Sequence, residues 1–262
     1  MPEALTVYLL VALVALLASG LTLFSGFGLG TLLLPAFLLF FPVQPAIAMT
    51  AVVHFFNNLF KLVLVGKAAD RRTVLQFGIP AIAAAFAGAW LLQHLGNLED
   101  LARYTLFGRQ YALTATKLLI ALLMIGFALF EARNRSDSLV VKDRRFLAAG
   151  GLLSGFFGGL SGHQGAFRSA FLVASGLSKE AFIATGVVIA CLVDLSRLSL
   201  YATTLQHLDS SLWPLLLTAT IAAFLGALIG NRLVSKVTIS WLKRLVTVML
   251  CLTALLLGSG LI

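Results

Sequence analysis

Long apolar stretches follow one another along the chain, at 5–24, 27–41, 45–66, 73–95, 112–131, 146–161, 165–176, 180–203, 212–234 and 241–261, with polar residues confined mostly to the short gaps between them. Most approach the ~20 residues that an α-helix needs to cross a bilayer. The second, sixth and seventh are shorter, and such lengths read as half-helices or re-entrant pieces. Glycines cluster at 26–30 and 158–165, where the short pieces meet their neighbours. The pattern predicts an all-α polytopic membrane protein. Transmembrane β-barrels, whose signature is short alternating segments, are excluded.

The pattern also occurs twice. Residues 84–89 read AAFAGA and residues 222–227 read AAFLGA, with Pro80 and Pro214 a few positions upstream. AFL at 36–38 recurs at 170–172, each time after a glycine-rich stretch, SGFGLG at 25–30 and SGFFGGLSGHQG at 154–165. The copies are offset by 134 to 138 residues, about half the chain. We expect an N-terminal transmembrane repeat over 1–131, a linker over 132–145 and a C-terminal repeat over 146–262, each repeat a glycine-broken helical hairpin plus three transmembrane helices. Paired halves with broken segments point to a transporter, with its site where the two breaks meet.

Composition agrees. Sixty per cent of residues are hydrophobic and 11% are charged, too greasy a surface for a soluble fold of 262 residues. The net charge of +9 does not signal nucleic-acid binding, because the basic residues sit in loops between spans and carry topology information. If the two glycine-broken segments fold back as hairpins, the repeats are inverted. One side then collects Lys67, Arg71, Arg72, Arg133, Arg135, Lys142, Arg144, Arg145, Lys179, Arg232, Lys236, Lys243 and Arg244, and the other only Arg103, Arg109 and Lys117, thirteen against three. If each segment crosses once, giving parallel repeats, the same residues divide eight against eight. The asymmetry favours inverted-topology repeats, with the 132–145 linker in the cytoplasm and both termini outside. The start of the chain lacks the basic stretch of a signal peptide, so the first run is expected to remain as a span. Cys191 and Cys251 both lie within apolar runs and suggest no metal site, and no cofactor is implied.

Few charges lie within the runs, and a charge at membrane depth is costly enough to be functional or paired. His54, Asn57, Asn58 and Lys61 are spaced to share one helix face. They read either as a polar binding face or as interhelical hydrogen-bond glue, with Lys61 able to snorkel toward the interface. Asp194 and Arg197, three apart, form a structural or coupling pair, and the structural role is preferred. The stretch SGFFGGLSGHQGAFRS is sharper. It sets Ser161, His163, Gln164, Arg168 and Ser169 around a helix break, with Gly162 and Gly165 permitting close approach of a ligand to backbone. Free N–H groups at the break, the positive end of the following half-helix and a planar guanidinium together read as an oxyanion seat. Close helix packing alone would explain the glycines, but not the arginine and histidine beside them. The first copy has glycines, including Gly28 and Gly30, but no charge, and Pro35 stands near the position of Arg168. The first hairpin would supply backbone and the second charge.

Two glycine-rich hairpins, the first running into a proline (SGFGLGTLLLPAFL), two halves of similar pattern and a length of 262 residues resemble the sulfite exporter TauE/SafE permease family over essentially the whole chain. The resemblance implies a multi-pass protein of the bacterial inner membrane that moves sulfite, sulfoacetate or another organosulfonate. Where the family commonly shows a second glycine run into a proline, this chain has GHQGAFRSAFL. That departure implies a different or more strongly bound anion.

The reading is a secondary transporter of a small oxyanion, working by alternating access, with the lipid bilayer and the anion as partners and no enzymatic activity. His54 and His163 read either as proton-coupling groups or as neutral, hydrogen-bonded histidines, and a second copy of the chain stays open as a partner. An intramembrane lipid-pyrophosphate phosphatase would also use hairpins and a phosphate cradle. Such an enzyme needs acid/base and metal-holding carboxylates, whereas the runs contain essentially Asp194 alone. A non-transporting membrane subunit would use long soluble loops or tails, which the pattern lacks.

Overall fold

Ten α-helices, two single-turn 3-10 helices (Gly66–Ala68 and Ser210–Leu212) and one β-hairpin make up the described part of the computed structural model, which covers residues 2–22, 28–96, 98–106, 108–133, 143–233 and 239–262. The first half holds α1 (Pro2–Thr22), α2 (Leu29–Leu38), α3 (Val43–Val65), α4 (Arg71–Leu95), the strands β1 (Asp100–Leu106) and β2 (Arg109–Thr114), and α5 (Ala115–Arg133). The second holds α6 (Arg144–Ser161), α7 (Gln164–Val173), α8 (Lys179–Gln206), α9 (Trp213–Leu233) and α10 (Ile239–Gly258). Most of the linker 132–145, part of the 232–240 loop and residues 25–27 of the first glycine cluster lie outside the described residues.

Each expected run holds a helix. Local signals set several of the ends. Asp70 caps α4 by accepting from the Thr73 N–H at 2.7 Å, Asp143 caps α6 and Ser178 caps α8. Gly162, at φ +79°, ends α6 in the left-handed conformation that glycine adopts without strain. Among the described residues five helices, α1, α3, α4, α8 and α9, are long and apolar enough to cross a membrane. Leu5, Leu9, Leu13 and Leu17 form an exposed row along α1, and Leu217, Ile221, Leu225 and Leu228 another on α9. Leucines in such rows are stable against lipid tails and not against water. α2 and α7 have 10 residues each. At 1.5 Å per residue each reaches only about 15 Å, half a hydrocarbon core. Every residue of α2 is buried in protein, the setting in which broken backbone is tolerated at membrane depth.

The packing is an exchange between the halves. α4 lies along α6 as α9 lies along α1; α4 touches α8 as α9 touches α3; α3 meets α8 and α5 meets α10. α1–α2 and α2–α3 are matched by α6–α7 and α7–α8. Swapping α1–α5 for α6–α10 turns this set of contacts into itself. The longest cross-half contacts rest on small residues. A Cβ on Gly151, Gly155 or Gly159 of α6 would run into the backbone oxygens of Phe77, Ala81 and Ala85 on α4. The repeated AAFAGA and AAFLGA motifs provide the counterpart. Gly88 meets the Phe156 carbonyl of α6, and Gly226 meets the Leu16 carbonyl of α1. Glycine here lets two backbones approach where van der Waals packing is the main attraction between helices.

The hairpin is an addition that the hydropathy pattern did not signal. β1 and β2 pair antiparallel, Tyr104 opposite Tyr111 with rings stacked at 5.6 Å, around a turn with Gly108 at φ +76°. Part of it, 112–114, falls inside a run that was expected to be helical throughout. The Tyr104 hydroxyl donates to the Ser259 carbonyl, which ties the hairpin to the end of α10.

Candidate functional site

The two helix breaks meet. A Cβ built on Gly30 would lie 3.5 Å from the Gly162 carbonyl oxygen and 3.6 Å from Cδ2 of His54, halfway along α3. Beside this junction a cavity is lined by Thr22, Gly28, Leu29, His54, Asn58, Lys61, Arg168, Ile183, Gly186 and Val187. It combines the start of α2, whose first N–H groups have no carbonyl partner within the helix, with side chains from α3 and α7 and a wall from α8. Gly186 lets α8 come close to the arginine, since a Cβ there would stand 3.6 Å from Arg168 Nε.

Behind the cavity wall lies a buried polar network centred on Asp194. Its Oδ2 accepts from His54 Nδ1 at 2.7 Å and from Asn58 Nδ2 at 3.4 Å. Its Oδ1 accepts from Arg197 Nη2 at 2.7 Å, Arg197 Nε at 3.0 Å and Gln164 Nε2 at 2.9 Å. Arg197 Nη1 also donates to the Gly158 carbonyl at 3.3 Å, and the Tyr201 hydroxyl donates to that of Gly159. The other end of the Gln164 amide receives Arg168 Nη1 at 3.3 Å, and its backbone carbonyl accepts from Ser154 Oγ at 2.9 Å. A chain thus runs Arg197–Asp194–Gln164–Arg168, fixing the guanidinium at the cavity wall. Arg168 therefore has a protein partner in addition to whatever occupies the cavity.

The candidate residues separate into three groups. Gly28, His54, Asn58, Lys61 and Arg168 line the cavity. Asp194, Arg197, Gln164, Gly30 and Gly162 support it from behind. Asn57 faces another way: its amide nitrogen donates to Ser19 Oγ at 3.0 Å and the Ala223 carbonyl at 3.3 Å, while its oxygen accepts from Lys61 Nζ at 3.1 Å. That bond holds the buried Lys61 inward, where snorkelling would have turned it to the interface. His163, Gly165 and Ser169 do not reach the cavity lining. His163 stacks on Phe127 at 4.8 Å and bonds through Nδ1 to Ser161 Oγ at 3.1 Å. Gly165 and Ser169 are buried within α7.

Two features were missed in the sequence. Tyr201 joins the Asp194 network, and His54, Asn57 and Lys61 on α3 have the same spacing as Asp194, Arg197 and Tyr201 on α8, each 140 residues later. Equal spacing on two helices in equivalent places was a readable signal. Gly186 had none, being a single glycine in an apolar helix.

Among the described residues the buried charged side chains are Lys61, Arg168, Arg197 and Asp194, three cations against one carboxylate. Asp194 is engaged by His54, Asn58, Gln164 and Arg197, and the described residues hold no group of three or more metal-ligating side chains. The arrangement can bind an anion through a guanidinium, an ammonium and a helix N-terminus.

No curated protein matches the chain. The family model for the sulfite exporter TauE/SafE matches residues 11–257, nearly its whole length. With five helices able to cross a bilayer, the chain is a multi-pass membrane protein that belongs to the sulfite exporter TauE/SafE family of transporters.

Proposed function

We propose that the protein is a secondary transporter whose cavity binds a small sulfur-containing oxyanion, such as sulfite, sulfoacetate or another organosulfonate. The observation that carries this is the charge around one cavity. Lys61 and Arg168 both reach it, the start of α2 faces it, and Asp194 has Arg197 as its closest cation. An anion of charge −1 or −2 balances the surplus. In a low-dielectric interior that balance is worth far more than in water. Saturable flux into liposomes holding the purified protein tests the reading, with sulfite, sulfoacetate, sulfate and acetate in parallel. Flux of the sulfur anions and little of acetate is the expected result. A protein that carries acetate best, or carries none of the four, removes the reading.

The contacts that map onto themselves when the halves are swapped support alternating access between two repeats, 1–131 and 146–262. The asymmetry of basic residues supports inverted repeats with the 132–145 linker in the cytoplasm of a bacterial inner membrane. Cysteines introduced at 137 and 236 are expected to label from the same side. Labelling from opposite sides restores parallel repeats.

A further inference from the structure

The cavity contains one group suited to a second passenger. His54 lines it, and its Nδ1 lies 2.7 Å from Asp194 Oδ2. Asp194 is held as a carboxylate by Arg197 and Gln164, so Nδ1 carries the hydrogen and donates it. Nε2 is then the basic nitrogen of the ring. It lies on the Cδ2 edge, the edge nearest Gly30 at the helix break. The Asn58 amide nitrogen sits across the imidazole, 3.0 Å from Nδ1 and 3.4 Å from Nε2, and bonds to the His54 carbonyl at 2.9 Å.

The charges facing His54 set its response. From α8 come Asp194 and Arg197; from α7, Arg168; from its own helix, Lys61. α2 carries no ionisable residue, and Arg232 of α9 lies in that helix's last turn. With the cavity empty, two cavity-lining cations oppose a further positive charge on the ring. An anion beside them cancels that opposition and leaves the Asp194 carboxylate to favour the imidazolium.

We propose that His54 is the proton site of this transporter: an oxyanion entering the cavity draws one proton from water onto Nε2, and anion and proton are carried together. The inference rests on the anion reading of the same cavity. No bond other than N–H forms, and the proton is returned to water when the anion leaves. The bond from His54 to Asp194 joins α3 of the first half to α8 of the second. The proton turns it from a hydrogen bond between a neutral imidazole and a carboxylate into an ion pair, and so strengthens a contact between the two parts that must move.

Calorimetric titration with sulfoacetate in detergent, repeated in buffers of different ionisation enthalpy, counts the protons taken up. Sulfoacetate is a full dianion near neutral pH, so any proton comes onto the protein. Wild-type protein is expected to take up about one proton per anion. Its Kd should rise about tenfold per pH unit wherever the free ring is neutral and the bound ring charged. His54→Gln should bind with a Kd nearly flat in pH and no uptake. Sulfoacetate binding without proton uptake by the wild type overturns the proposal and leaves the anion reading standing. No binding by the wild type overturns the anion reading first. Uptake of about one proton per anion that persists in His54→Gln places the proton on another group and also overturns the proposal. Should His54→Gln not fold, NMR of histidine labelled with nitrogen-15 in the wild type decides. The proposal expects one of the four histidines to become imidazolium on saturation with sulfoacetate, and an unchanged spectrum overturns it.

Discussion

Arg168→Gln is expected to weaken sulfonate binding by about one to two powers of ten while the protein stays folded. Arg168 is buried at the cavity wall, with Nη1 on the Gln164 side-chain oxygen. Gln164 is itself fixed by Asp194 and by Ser154, so the fork is oriented before a ligand arrives. Charge-assisted hydrogen bonds of this kind contribute roughly 1.5–3 kcal/mol each, and about 1.4 kcal/mol is a tenfold change in affinity. Glutamine keeps a polar group near Gln164 and removes a cation from a cluster already in positive excess, so folding has little to lose. Arg168→Lys keeps the charge without the planar fork and should restore only part of the affinity. Calorimetry with sulfoacetate beside a thermal-shift control reads both. Unchanged affinity in Arg168→Gln would move the anion seat to Lys61 and the His54/Asn58 face.

Hydropathy made the helices legible because the bilayer imposes the length. The runs at 45–66 and 73–95 correspond closely to α3 and α4, and the short run 27–41, which contains Pro35, proved to hold the ten-residue α2. The 100–114 hairpin was not legible in this way. Its two strands are joined by a tight turn and lean on the end of α10 through Tyr104, a contact to a residue 155 positions away that no local pattern reports. The candidate site was readable as types and spacings and not as a place. Arg168 and the His54/Lys61 face looked like rival sites, because 107 residues separate Lys61 from Arg168. The two helix breaks bring them to one cavity. His163 was the most conspicuous side chain of the second break, yet stacking on Phe127 turns it away. The choice between those rotations depends on partners from α5, invisible in the GHQG sequence itself.

Asp194→Asn is expected to destabilise the protein by about 3–5 kcal/mol, the usual cost of removing one partner from a buried ion pair. Asp194 and Arg197 have no side-chain exposure. Without the carboxylate, Arg197 keeps the Gly158 carbonyl as an acceptor, and a guanidinium in a dry interior needs more than one neutral acceptor. The His54 ring loses its acceptor at the same time and is free to change tautomer. The double change Asp194→Asn with Arg197→Gln removes both charges and should recover much of the loss, because the remaining amides can bond to each other and to Gln164. Unfolding midpoints of wild type, Asp194→Asn and the double variant in one detergent test this. Liposome flux then separates two roles. A double variant that recovers its midpoint and still carries anion identifies Asp194–Arg197 as a structural pair that locks α8 to α6 and the helix break. Recovery of the midpoint with no flux places the pair in the mechanism. The route would then be through His54, a cavity-lining side chain that bonds directly to the Asp194 carboxylate at 2.7 Å.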